Sequence, residues 1–172
     1  SDPGHVLVGA VVAAGGRVEV LPGPSAAVTA LVASALPADT WRFVGFLPRK
    51  AGELRALLAG ARETLVAFES PHRTAASLAA LAELDPERPV AVCRELTKLH
   101  EEIARGSAAA LAARYAEAEP RGEVVLVVGA PPPAAADLGA ALDAVARVGD
   151  HRAEIVGLER LLRGARIPAD GA

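Results

Sequence analysis

A chain of 172 residues, 52% hydrophobic and 3% aromatic, is long enough to bury a core, and that core must be aliphatic. Such a composition excludes a disordered chain, and a net charge of −3 gives no global pull toward nucleic acid or anionic membrane, so a phosphate site has to be a local patch. The lone cysteine, Cys93, excludes an internal disulfide, and no run reaches the ~20 apolar residues of a membrane span.

Cys93 sits in an apolar run and reads as a small core residue rather than a nucleophile. The opening Ser1-Asp2-Pro3-Gly4 has neither the basic start nor the apolar stretch of a signal peptide, so a soluble, cytoplasmic protein is expected. The chain contains no methionine, and it reads as the downstream part of something longer.

Residues 5–14 are apolar enough for a helix that Gly15-Gly16 stops. Residues 17–21 alternate polar and apolar, as a half-buried strand does. Pro22-Gly23-Pro24 breaks the chain, and Ser25 is a suitable N-cap for a helix over 26–35. A turn at 36–40 precedes a strand over 41–47, a basic loop at Pro48-Arg49-Lys50, a helix over 53–61 and a strand over 64–68. Pro71 fits the first turn of a helix to about residue 84, followed by a strand over 89–93. Ser107 caps a helix to roughly residue 118, and 123–128 is the strongest strand in the chain. Pro131-Pro132-Pro133 marks a stiff linker, with a helical pair expected over 138–148 and 152–162 and a frayed end over 164–172. Helices alternating with apolar strands predict an α/β fold on a parallel-type sheet, whose strand carboxyl ends are where ligands bind.

Three segments carry chemistry. Pro22, Gly23, Pro24, Ser25 and Ala26 lead into a helix start, which is either a plain tight turn or a place where free amides hold an anion or a polar cofactor group. Glu69-Ser70-Pro71-His72-Arg73 follows one strand; Ser70 and Pro71 are explained by helix capping, whereas His72 and Arg73 are not. Arg94 to Glu102 follows another strand and is dense in acids and bases, though charge runs are often only solvated loops. Arg49, Lys50 and Arg55 together with Arg73, Arg94 and Lys98 would make a local basic rim for phosphates. No metal site is expected, because His100-Glu101 has no partner at ligand spacing. Ser70 lacks the flanking glycines of a hydrolase elbow.

Taken in order, Ser-Asp-Pro-Gly (1–4), Leu-Pro-Gly-Pro-Ser-Ala (21–26), Gly-Phe-Leu-Pro-Arg-Lys (45–50), Glu-Ser-Pro-His-Arg (69–73), Arg-Glu-Leu-Thr-Lys-Leu-His-Glu-Glu (94–102) and Gly-Glu-Val-Val-Leu-Val (122–127) closely resemble the small-subunit ribosomal RNA methyltransferase I family of the tetrapyrrole-methylase superfamily. The resemblance covers about residues 1–130. It implies S-adenosylmethionine as cofactor and 2′-O-methylation of a cytidine ribose in 16S ribosomal RNA of the small subunit. It also implies a fold of two α/β domains with the donor between them. Residues 1–37 would then be a remnant of the N-terminal domain, 38–133 the C-terminal α/β domain and 134–172 a helical tail. The family's upstream Gly-Thr-Pro strand–loop has no counterpart here.

On chemistry and location, the candidate general bases are Glu95, Lys98 and Glu69, with Lys98 qualifying only if burial lowers its pKa. Pro22, Gly23, Pro24, Ser25, Ala26, Phe68, Glu69 and Ser70 would border the donor. Arg73 and Arg94 would clamp phosphates with Arg49, Lys50 and His72. A homodimer is the expected assembly. The alternative reading is a catalytically silent dimerisation or RNA-docking module of the same fold, while a tetrapyrrole substrate fits poorly with so few aromatics. All of this requires the two charged loops to converge on a common pocket facing the Pro-Gly-Pro bend.

Overall fold

The computed structural model describes residues 4–131. The linker residues Pro132 and Pro133, the helices expected over 138–148 and 152–162 and the end over 164–172 lie outside the described residues. Within the compact unit Ser1–Ala130 the elements are α1 (Gly4–Ala13), α2 (Ala26–Ser34), β1 (Trp41–Phe46), α3 (Ala51–Gly60), β2 (Thr64–Glu69), α4 (Pro71–Leu84), β3 (Pro89–Arg94), β4 (Glu102–Ser107), α5 (Ala108–Glu117) and β5 (Val124–Val128). No helix among the described residues is long and apolar enough to cross a membrane.

The strands form one sheet in the order β1-β2-β5-β3-β4. Only β1 and β2 run parallel; β2–β5, β5–β3 and β3–β4 are antiparallel, which corrects the expected parallel-type sheet to a mixed one. The reason is burial. Helices cover both faces of β2, β3 and β5, so these strands are continuous apolar runs whatever their direction. β4 is a strand the sequence does not announce: Ala104 is its one buried residue, Ile103 is half-buried on the other face, and Glu102, Arg105 and Ser107 leave little apolar pattern. Conversely, residues 17–21 form no strand. Val20 and Leu21 are exposed, because no strand among the described residues pairs with the segment.

On one face α3, α4 and α5 bury Leu54, Leu58, Leu78, Leu81 and Leu111 against Leu65, Val92 and Leu126. On the other face α2 packs Ala27, Ala30 and Leu31 on Val66, Cys93, Val125 and Val127. Thus α2, expected to belong with residues 1–37 to the preceding domain, packs on this sheet. Burial pushes the Cys93 thiol up to about 11, in keeping with a core residue.

Candidate functional site

β2 and β3 are both antiparallel to β5, so their carboxyl ends lie at the same sheet edge. The register is specific: Glu69 and Arg94 are the two partners of Val124, one on each side of β5. The amino end of α2 reaches the same edge. Its carbonyls at Ala33 and Ser34 accept from Arg105 Nε at 3.1 and 3.2 Å, while Ala30 lies against Cys93, two register pairs nearer the edge. Ser25 takes an extended backbone (φ −129°, ψ 119°), but its side chain makes no capping bond. The first-turn amides of α2 therefore have no side-chain partner among the described residues, and Pro22 to Ser25 are exposed beside them.

The first charged cluster turns inward. Glu69 is 3% exposed, and its carboxylate accepts from Ser77 Oγ at 2.6 Å and from the Ser70 amide at 2.8 Å, with Arg73 Nη2 at 3.4 Å. Arg73 donates to the carbonyls of Leu47 (3.4 Å) and Pro48 (2.6 Å), fastening the loop after β1 to α4. His72 remains outside, with Nδ1 2.5 Å from Glu119 Oε1. Phe68, on the opposite side of β2 from Glu69, packs in the α2 layer and meets Phe43 and Phe46 edge to face. Gly45 supplies the positive φ (+68°) at the register shift that brings Phe46 opposite Phe68.

The second cluster is a locked turn. Glu95 and Thr97 hold left-handed backbones (φ 49° and 65°), which side-chained residues adopt only when their surroundings enforce it. The enforcement is visible. Glu95 N–H donates to Glu123 O (3.0 Å), and Glu95 Oε1 accepts from the Glu123 amide (2.9 Å). Lys98 Nζ bonds both Glu95 Oε1 (2.9 Å) and Glu123 Oε2 (3.0 Å). Gly122, at φ +84°, completes the bracket: a Cβ there would overlap the Glu95 carboxylate. Arg94 Nε bonds Glu102 Oε2 (2.6 Å) and its Nη1 bonds Arg121 O (3.1 Å), while Glu102 Oε1 takes Arg114.

These contacts change the chemistry expected of the candidate bases. The Glu123 amide, and then Lys98, hold the Glu95 carboxyl below its ordinary value. Hydrogen bonds to Glu95 and Glu123 raise the Lys98 ammonium above its ordinary value, the opposite of what a neutral amine base needs. As placed, Lys98 bridges two carboxylates and does not meet the condition of a burial-lowered pKa. Because the folded Glu95 carboxyl titrates below 4.5, its bracket is intact above that pH and is lost as pH falls through the lower folded-state value. A carboxyl-carbon NMR titration is expected to place the Glu95 midpoint below 4.5; a midpoint at or above that value contradicts the bracket.

The expected basic rim does not stand as a set of free charges. Lys50 pairs with Glu53, Arg55 with Glu83, Arg94 with Glu102 and Lys98 with two carboxylates. Arg49 alone of that set has no ion pair or hydrogen bond among the described residues. The two clusters share an edge, and a concavity there takes Arg94, Glu95, His100 and Glu102 but neither Glu69 nor Arg73. Its wall also includes Arg114, Tyr115, Glu119 and Arg121, which sequence reasoning missed. The available signal was Glu119-Pro120-Arg121-Gly122, a charged turn feeding the strongest strand.

A mixed α/β sheet with strand ends, a helix start and two ordered polar loops at one edge is the architecture of a class of solved methyltransferases. Two crystal structures of the uroporphyrin-III C-methyltransferase of Thermus thermophilus superimpose with TM-scores of 0.53 and 0.50, at 28% and 23% identity. Each match covers 74% of this chain, and 58% and 59% of those chains respectively; the second holds S-adenosyl homocysteine. The chain belongs to the tetrapyrrole (corrin/porphyrin) methylase family, whose model matches residues 1–112. It is 52% identical over 132 residues to the ribosomal RNA small subunit methyltransferase I of Mycobacterium tuberculosis, covering 74% of this chain and 46% of that protein. It is 50% identical over 149 residues to the protein of that name in Mesorhizobium japonicum, covering 83% and 50%. The chain thus spans about half the length of the curated relatives it matches.

Proposed function

We propose that this chain forms part of an S-adenosylmethionine-dependent methyltransferase that 2′-O-methylates a cytidine ribose in 16S ribosomal RNA. The observation that carries the reading is the shared edge: the carboxyl ends of β2 and β3 and the uncapped start of α2 meet where open α/β sheets bind ligands. The names of the relatives supply the substrate class, and the homocysteine-bound neighbour supports the cofactor.

The residues present fit such a donor. The uncapped first-turn amides after Ser25 suit its carboxylate, and exposed Pro22, Gly23, Pro24 and Ala26 leave the approach open. Phe68 and Ser70 would border it from β2. When bound, S-adenosylmethionine supplies an electrophilic methyl group. This chain's task is then to hold a ribose hydroxyl in line with it and keep water out, and positioning of that kind accounts for most of the acceleration. The hydroxyl proton would then leave to a carboxylate or to water. Glu95 is the candidate acceptor, and its lowered pKa makes it a weak base. Glu69 and Lys98 act as positioning residues. Arg49, Lys50, His72, Arg73 and Arg94 are the proposed contacts to the RNA backbone, with Arg49 the freest of them.

Transfer of a tritiated methyl group to small ribosomal subunits, followed by alkaline hydrolysis, tests the reading. A label resisting cleavage at one cytidine is expected; a label on a base overturns it. The engagement of Glu69 and Lys98 with protein groups favours a second reading, an RNA-docking module without donor binding. Calorimetry with S-adenosyl homocysteine separates the two, since the docking module gives no heat of binding. The assembly we propose is a cytoplasmic homodimer, supported by the exposed apolar Val6, Leu7, Val12, Val20 and Leu21 and tested by sedimentation equilibrium.

A further inference from the structure

The concavity between the 94–102 turn and the end of α5 encloses about 500 Å³, within the range of roughly 300–1,000 Å³ typical of small-molecule sites. Its charges are unevenly committed. Each carboxylate lining it is already engaged: Glu95 with Lys98, Glu102 with both Arg94 and Arg114, and Glu119 with His72. What remains uncommitted is three groups that can each donate. The Arg121 guanidinium and the His100 imidazole, both on exposed residues, have no ion pair or hydrogen bond among the described residues. The Tyr115 hydroxyl, on a residue 5% exposed, is the one buried side-chain polar atom among the described residues with no hydrogen-bond partner. A buried hydroxyl without a partner is rare enough in folded proteins to need an explanation. Arg121 is also placed rather than loose, because its carbonyl accepts from Arg94 Nη1 at 3.1 Å.

A concave site with spare donors, and with each of its carboxylates held in an ion pair, suits an acceptor-rich anion. Glu102 faces two guanidinium groups and Arg121 adds a third, so the three guanidinium groups of the lining balance its three carboxylates, Glu95, Glu102 and Glu119, each of which is held in an ion pair. We propose that this pocket binds a phosphate group, with Tyr115, Arg121 and His100 as donors and the Arg94–Glu102–Arg114 cluster as its rigid wall. The spare N–H groups of Arg94 and Arg114 suit a tetrahedral oxyanion, which guanidinium forks recognise in bidentate fashion. The source is either an internal phosphodiester of an RNA strand or a free or terminal phosphate. The first alternative rests on the function proposed above; the second does not.

Amide chemical shifts of Arg121 and Gly122 in the full chain, without methyl donor, are the readout. Titrants are inorganic phosphate, a short oligoribonucleotide with and without a 5′-phosphate, and its methylphosphonate analogue. A saturable shift with inorganic phosphate is expected, weakened about tenfold by combined Arg121→Ala and His100→Ala, both on exposed residues whose loss leaves the core intact. Tyr115→Phe is expected to weaken binding several-fold while leaving thermal stability equal or higher, because the hydroxyl it removes has no partner in the free protein. Binding of the unphosphorylated oligonucleotide but not of its methylphosphonate analogue assigns the site to RNA phosphodiesters. Binding only of phosphate and 5′-phosphorylated RNA assigns it to terminal or free phosphate. No saturable shift with any phosphate, or shifts unchanged by the variants, overturns the proposal. A failed methyl-transfer assay leaves this result untouched.

Discussion

Replacing Glu69 with alanine is expected to lower folding stability by about 3–5 kcal/mol, the cost of removing one partner from a buried charged network. The carboxylate joins three groups from two successive elements: the Ser70 amide at the helix entrance, the Ser77 hydroxyl two turns along α4, and Arg73 between them. Alanine leaves the amide and the hydroxyl buried without partners, and each such orphan costs about 1–3 kcal/mol. It also frees Arg73, whose guanidinium ties the loop after β1 to α4. Glu69→Gln keeps the shape and one acceptor, and the Ser77 hydroxyl can rotate to accept from the new amide, so a loss of about 1–2 kcal/mol is expected. Denaturant unfolding followed by circular dichroism measures both. A proton-accepting Glu69 with no bracing role would behave differently, with both variants within about 0.5 kcal/mol of the parent.

That the Glu69 carboxylate, expected at an open edge, is buried and bonded to Ser70, Ser77 and Arg73 shows where the sequence is legible. Pro71 to Leu84 matches its helix because proline at the first turn and the apolar spacing act locally. The edge position of both charged loops is equally readable, since each directly follows a buried apolar run. What cannot be read is which charges cancel. Lys98 finds Glu123 and Arg94 finds the Arg121 carbonyl across gaps of 25 and 27 residues, and only the β3–β5 pairing brings them together. The same non-locality hides β4. Its role as an edge strand is set by β3, while its own Glu102, Arg105 and Gly106 read as loop. Residues 17–21 fail in the other direction: their alternation is real, but a strand needs a neighbour to bond to.

Ala30→Leu is expected to reduce methyl-donor binding or methyl transfer on the order of 100-fold at a stability cost of only about 2 kcal/mol. Ala30 is 0% exposed, and together with Ala27 it lets the α2 backbone approach the sheet closely over Cys93, Val125 and Val127. Three added carbons have no space there, and the layer can yield only by moving the helix outward. That movement carries Pro22 to Ser25, the segment leading into α2, away from the ends of β2 and β3. Displacing a positioning element by about 1 Å is enough for a loss of that size. Val32→Leu, on the exposed side of the same helix at 76% exposure, keeps helix propensity comparable without touching the sheet and is expected to change neither quantity. Calorimetry with S-adenosyl homocysteine and thermal unfolding of both variants give the contrast. Equal donor affinity in Ala30→Leu and the parent would mean that the α2 start does not hold the donor, and the shared sheet edge would then lose its assigned function.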